Sequence, residues 1–402
     1  MTPLLLSRYT ATSCLGAGLD ATLDALRAGR GGLVPCAFET IDLPTAIGEV
    51  AGVDDERLPD HLADWDCRNN RLAQLGFRQD GFAEAVHAAI ARHGRERIGV
   101  FLGTSTAGIL QTEQAYRRRD PASGALPADF IYRTTHNTYS VAGFVRAWFD
   151  LAGPAVAVSS ACSSSAKVFA SARRMIEAGL IDAAIVGGVD SLCLTTLYGF
   201  NSLELLSAQP ARPFDADRDG ISIGEAAAFA LLERVPAAPA APTGTDVLLA
   251  GIGESSDAYH MSSPHPEGLG ARLAMEQALA TSGLAAGDID YINLHGTATP
   301  SNDAAEGKAV AALFGDRVPA SSTKGHTGHT LGAAGALEAV IAALALTHGI
   351  MPGGVNTATP DPAIPIDYLL SNRNTPVARV LSNSFGFGGT NCSLVFARGD
   401  AR

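Results

Sequence analysis

No CxxC pair occurs among the six cysteines of this 402-residue chain. Scattered as Cys14, Cys36, Cys67, Cys162, Cys193 and Cys392, they exclude a zinc knot or a disulfide framework and fit a reducing, cytoplasmic setting. Positive charge is scarce: 29 Lys and Arg against 41 Asp and Glu leave a net charge of −12. Nucleic-acid binding wants a basic stripe, so that class is excluded. No run reaches the ~18 consecutive apolar residues of a membrane-crossing helix. The opening MTPLLLSRYT has neither a basic n-region nor a small-residue cleavage site, so no secretory leader is expected. Gly (43) and Pro (21) together stay below the ~25–30% that marks low complexity. No repeat of about 20–50 residues is visible.

What remains is apolar and sparsely charged, 47% against 17%, which suits a large buried core. The length fits two to three ordinary domains or one large α/β unit. A Pro/Ala-rich stretch, Pro236 to Gly244, reads as a solvated seam. It divides the chain into halves 1–240 and 241–402. Each half alternates short β-type runs with helical ones. RIGVFLGTS reads as a strand entering a Gly turn, AVAVSSAC and DAAIVGGVDS as buried strands, and SSSAKVFASARRMIEAGL as a helix. In the second half ARLAMEQALATSGL and GALEAVIAALALTHG are helical, and DIDYINLHG, VARVLSNSFGFGG and TNCSLVFAR read as strands. Such alternation predicts α/β layering around buried sheets.

Four places could carry chemistry. Cys162 stands between the run AVAVSSA and a helix. Helix N-terminal N–H groups stabilise a thiolate and can face an oxyanion. The plainer reading is a buried apolar cysteine. His295 closes YINLH, at a strand end where α/β enzymes place functional groups. His329, in KGHTGHTLGAAG, sits in a Gly-rich entry to a helix, where an imidazole stays neutral and donates one hydrogen bond. Either histidine alone could be a hydrogen-bonded structural residue. The His326/His329 pair lacks the intervening Glu of a zinc helix, so no metal site is expected. Finally, Gly386, Gly388 and Gly389 in NSFGFGGTN let the backbone take positive φ or approach a ligand. That pattern fits a pocket cover or a tight hairpin.

Together these strings resemble the condensing enzymes, the β-ketoacyl-[acyl-carrier-protein] synthases of types I and II. The matches are SSACSSS, NLHGTATPSNDAAE, STKGHTGHTLGAAGALEA and SNSFGFGGTN, with FDADRDGISIGEAAAFALLE before the midpoint. The likeness runs from about Ile98 to Phe396 and is loose before that. It implies a thiolase-like five-layered αβαβα fold with two similar halves, and a dimer. Cys162 would take the acyl group from a phosphopantetheine arm. The N–H groups of Cys162 and Phe387 would hold the oxyanion, and Phe385 would share the gate. His295 and His329 would stabilise the enolate formed when malonyl thioester loses CO2, and Lys324 would orient His329. Thr297 and Thr299 would bind pantetheine. Glu338, Asn293, Ser382 and Asn383 would form a buried polar or cation-containing network, and Asp303 and Glu306 would fix the loop. No resident cofactor is implied, because the substrates arrive on an acyl carrier protein.

Departures from the family bear on substrate. The Leu206–Arg212 segment is short, the VVITGLG-like opening is missing, and Thr106 stands where a bulky acyl-pocket residue is usual. These features point to a specialised synthase, such as one making aryl-polyene or related polyketide chains, with ordinary fatty-acid elongation as the alternative. An acidic carrier docking on an acidic chain needs a local basic patch. Arg68 with Arg71, and Arg117-Arg118-Arg119, are the candidates. All four reactive residues are present, so the chain reads as the active member of a homodimer or of a heterodimer with a chain-length subunit. The two histidines argue against a starter acyltransferase that never condenses.

Overall fold

The computed structural model describes residues 1–235 and 243–401. Ten strands form one hydrogen-bonded path. The first half supplies β1 (Leu4–Ser13), β2 (Ile98–Gly103), β3 (Ala155–Val158), β4 (Ala183–Asp190) and β5 (Ala226–Arg234). The second supplies β6 (Val247–Ser256), β7 (Tyr291–Asn293), β8 (Ala320–Ser321), β9 (Arg379–Gly386) and β10 (Thr390–Arg398). Their order is β3-β2-β4-β5-β1, then β6-β10-β9-β7-β8. Counted from its own first strand and read from its outer edge, each half has the order 3-2-4-5-1. In each, the three outer strands run parallel and the next two pairings are antiparallel. The halves meet where Leu4 to Leu6 of β1 lie opposite Leu249 to Val247 of β6. The two similar halves that the family resemblance implies share this topology.

Seven helices complete the layers: α1 (Arg68–Phe77), α2 (Phe82–His93), α3 (Ser140–Trp148), α4 (Ser164–Glu177), α5 (Leu269–Ser282), α6 (Pro300–Phe314) and α7 (Ala334–His348). The first three cover the outer face of the first half through Phe77, Phe82 and Phe144. Helices α5 and α6 cover the second through Met275 and Val310. Between the two sheets lie α4 and α7, one from each half. Val168 and Phe169 of α4 share a core with Ala339 and Ala342 of α7 and with Val186 and Leu394 from opposite sheets. This is the five-layered α/β arrangement.

Helix α7 is buried at every position from Ala334 to Leu346. A helix apolar on all sides belongs in such a middle layer. With the preceding turn it spans 18 residues at a mean hydropathy of 1.6, long and apolar enough for a membrane, yet 89% of it is covered by the rest of the chain. Strand β4 is buried at all eight positions, as expected of a strand covered on both faces. Its Gly188 lets α4 come close, since a Cβ there would lie 2.5 Å from the Ser165 Cβ.

One strand differs from expectation. Only Ala155–Val158 of AVAVSSAC is extended, and Val156 is 38% exposed. The cause is topological, because β3 ends the strand path and pairs with β2 alone. The seam from Pro236 lies outside the described residues as far as residue 242, and the boundary between 240 and 241 falls inside it.

Candidate active site

Beyond β3 the chain turns sharply into α4, and Ala161 takes a left-handed φ of 51°, costing roughly 1–2 kcal/mol for an L-residue. The flanking serines hold that turn. Ser164 Oγ accepts from Ser160 N–H at 2.9 Å and donates to Ala161 O, while Ser163 Oγ donates to Ser160 O at 3.0 Å. The serine-rich string therefore clamps an elbow, and the elbow presents Cys162 two residues ahead of α4.

His329 arrives from the second half. Its backbone is fixed by N–H donation to Ser222 O at 2.7 Å and by acceptance from Gly224 N–H at 3.0 Å. Leu331 N–H donates to His329 Nδ1 at 3.2 Å. The ring proton is thereby left on Nε2, which lies 2.9 Å from Cys162 Sγ. His295 follows β7, and Glu306 cradles it. One carboxylate oxygen accepts from His295 N–H and the other from Gly296 N–H, both at 2.8 Å. Lys324 Nζ donates to His295 O at 2.5 Å and stands 3.4 Å from His295 Nδ1. An ammonium only donates, so His295 too carries its proton on Nε2. The two rings meet edge-to-face with centroids 5.4 Å apart.

Both imidazoles sit well below their ordinary 6.5, first because burial penalises the cation and then because Lys324 is positive. They are neutral donors at pH 7. The thiol differs from the sequence expectation. Burial pushes Cys162 up to about 11, against the opposing pull of Lys324 and of the nearby Phe387 N–H. The resting group is a thiol, and the helix start does not make it an anion. The Cys162, His295 and His329 ligand atoms lie within 4.8 Å of one another, close enough for a metal. The protons on both Nε2 atoms oppose that use, because a metal needs those lone pairs.

These groups line one cavity with Thr297, Thr299, Phe385 and Phe387. The Phe387 loop is both things its glycines allowed. It is a tight hairpin joining β9 to β10, and it covers the pocket, with Phe387 against Phe200 at 5.9 Å and Phe385 against His295 at 5.8 Å. Gly389 has φ 73°, and a Cβ there would meet the Asp257 Cβ at 2.8 Å. Thr297 and Thr299 hydroxyls bond each other at 2.9 Å and face the cavity. Asp303 accepts from Phe214 N–H at 2.8 Å and from Ala298 N–H at 3.3 Å, which pins the loop. Asn383 donates to Glu306 at 3.1 Å.

Asn293, opposite Ser382 on the neighbouring strand, has a buried amide without a hydrogen-bond partner among the described residues, as does Glu338 Oε2. Oxygen donors left unmet in this way fit a water or an oxygen-ligated cation. Asn293 and Glu338 would hold it.

Other expectations are corrected. Lys324 contacts His295 and Glu338, so the ring it orients is His295 and not His329. Thr106 does not line the cavity. It is buried with its hydroxyl on Asp190 at 2.8 Å. Arg68 is 1% exposed and locked to Glu225 and Asp54, so it presents no docking charge. Arg71 is matched by Asp66, Arg117 by Glu39 and Arg118 by Asp129. Arg117, Arg118 and Arg119 stay exposed and remain docking candidates, and Arg119 is the one without an ion-pair partner among the described residues. Asp190 went unnoticed in the sequence, although a charged residue closing a buried strand is the signal that marked His295.

Residues 11–238 match the β-ketoacyl synthase N-terminal domain and residues 247–358 its C-terminal domain. The chain belongs to the β-ketoacyl synthase family. Like it is the 3-oxoacyl-[acyl-carrier-protein] synthase 2 of Vibrio cholerae, 33% identical with 96% of each chain covered. Among solved structures it resembles the ketosynthase ApeO in complex with its chain length factor ApeC from Xenorhabdus doucetiae. That match has a TM-score of 0.87 and 37% identity, covering 99% of this chain and 98% of that one. A β-ketoacyl synthase from Burkholderia phymatum gives 0.87 and 31%, covering 99% and 100%. For a β-ketoacyl synthase, the convergence of thiol, two imidazoles and Phe387 N–H in one cavity is the arrangement the chemistry requires.

Proposed function

We propose that this β-ketoacyl synthase joins an acyl group held on Cys162 to a malonyl unit, both delivered on the phosphopantetheine arm of an acyl carrier protein. One observation carries the reading: two neutral imidazoles present Nε2–H donors at a cavity whose floor is a thiol. Sγ attacks the incoming thioester, the oxyanion accepts from the Cys162 and Phe387 N–H groups, and the Sγ proton leaves with the pantetheine thiol. Malonyl thioester then binds. As its C–C bond breaks and CO2 departs, negative charge grows on the thioester oxygen, which accepts from His295 and His329. That charge is absent in the ground state, so the donors favour the transition state. The enolate carbon attacks the acyl carbonyl and releases the 3-ketoacyl thioester. The freed sulfur takes a proton from solvent. The histidines begin and end neutral, and no resident cofactor takes part.

The finer reading is a specialised polyene or polyketide pathway in the cytoplasm, with this chain as the active partner of a chain-length subunit. It draws support from the short Leu206–Arg212 segment and from the likeness to ApeO, a ketosynthase solved with its chain length factor. Thr297 and Thr299 would hold the pantetheine amides. The test is mass spectrometry of Cys162 in a His295→Ala variant incubated with native extract. That variant leaves the His329 and Phe387 contacts of the thiol in place. A polyunsaturated adduct supports the reading, and a saturated acyl chain overturns the pathway. An adduct elsewhere, or none, removes Cys162 as nucleophile.

A further inference from the structure

The catalytic groups come from two halves of the chain, so something must hold the halves in register at the site. Asp190 closes β4 in the first half and is fully buried. Its Oδ1 accepts from Thr104 Oγ1 at 2.7 Å, Ser105 N–H at 2.7 Å, and both Thr106 N–H and Oγ1 at 2.8 Å. Its Oδ2 accepts from Gly332 N–H at 2.5 Å, across 142 residues of sequence. Gly332 lies in the turn whose Leu331 N–H sets the His329 ring, and Leu331 itself is at a left-handed φ of 52°. Ser165, from the nucleophile helix, accepts a second N–H near the start of α7, from Ala336 at 2.9 Å. One orphan donor of α7, Ala336 N–H, and one in the turn just before it, Gly332 N–H, are thus satisfied by side chains of the opposite half. A carboxylate is well suited to that end of the helix dipole.

We propose that Asp190 is a positioning residue for the condensation. It latches the His329 turn onto the nucleophile half and keeps the His329 Nε2–H aimed into the cavity. Every partner of the carboxylate can be a donor, so it has no place for an amide NH2. In Asp190→Asn that NH2 faces an N–H either at Gly332 or in the Ser105–Thr106 loop. Thr106→Val keeps the shape and the charge. It removes one O–H donor and leaves Ser191 N–H, which donates to Thr106 Oγ1 at 3.1 Å, without its partner.

The experiment measures decarboxylation of malonyl thioester by the full chain with any subunit that co-purifies. The rate is expressed per Cys162 that iodoacetamide can alkylate, as read by intact mass, so a misfolded fraction does not count. Asp190→Asn is expected to lower kcat about 100-fold, the cost of roughly an ångström of misplacement, with KM within about twofold. Thr106→Val is expected to lower kcat about tenfold, again with KM held. A kcat per alkylatable Cys162 within about threefold of the parent in both variants overturns the proposal. So does a loss seen in KM alone. If Asp190→Asn does not fold, Thr106→Val decides by itself. The parent's own decarboxylation is the reference, and a parent without it would overturn the condensing reading instead.

Discussion

His329 Nε2 lies 2.9 Å from Cys162 Sγ although 167 residues separate them. In the proposed mechanism His329 would therefore serve two steps: it would steady the sulfur while the acyl group loads, and stabilise the enolate afterwards. His295 makes no hydrogen bond to the sulfur among the described residues and would serve the second step.

Neutral imidazoles predict a characteristic pH profile. Both rings lie well below 6.5 because of burial and the Lys324 charge. Malonyl decarboxylation should stay flat as pH falls from about 8 through the usual histidine range. An acid limb centred at or above 6.5 would show that the rings protonate in their ordinary range, and a rate that rises as pH falls through that range would show that a charged ring is the working form.

Cys162 should alkylate slowly at neutral pH and speed up about tenfold per pH unit toward its value near 11. Lys324 lowers that value and Glu338 raises it, Lys324 having the larger effect. Lys324→Met combined with Glu338→Gln removes both charges without stranding one in the core. Its iodoacetamide rate at fixed pH should drop, with the profile displaced upward.

Arg68 is a stability residue. Arg68→Ala strands the Glu225 carboxylate, which is buried and accepts Arg68 N–H groups at 2.6 and 3.0 Å. A loss of about 3–5 kcal/mol is expected in urea unfolding. Arg68→Lys recovers only part of it, because an ammonium cannot fork across both oxygens.

Gly389→Ala places a Cβ 2.8 Å from the Asp257 Cβ at a left-handed φ. The Phe387 loop must shift, and its N–H leaves the sulfur. Acylation of Cys162 should slow about 100-fold while the melting temperature changes little. Unchanged acylation would remove Phe387 from the oxyanion role.

Arg119→Glu should weaken carrier affinity more than Arg117→Glu, because Arg117 is already balanced by Glu39 at 3.5 Å. Equal effects, or none, move the docking face elsewhere.

Much of this was legible in the chain because local signals agreed with tertiary ones. The serine-rich elbow, the two histidine strings and the glycine hairpin each carry their turn chemistry within a few residues, and α7 announces its burial by having no polar face. What stayed hidden depended on pairing across distance. Arg68 looked like a surface charge because Glu225, 157 residues away, cannot be seen from helical spacing. Thr106 looked like a pocket wall because its Asp190 partner comes from another strand. The Cys162 thiol looked acidic because a helix start is a local feature, whereas the burial that outweighs it is a property of all five layers. Strand β3 reads as interior by composition, and only the order of strands makes it an edge.

The middle layer takes one helix from each half, so each half needs the opposite sheet to keep its own central helix dry. The first half alone would present a bare apolar groove, and its sulfur would have neither imidazole beside it until the second half closed over it.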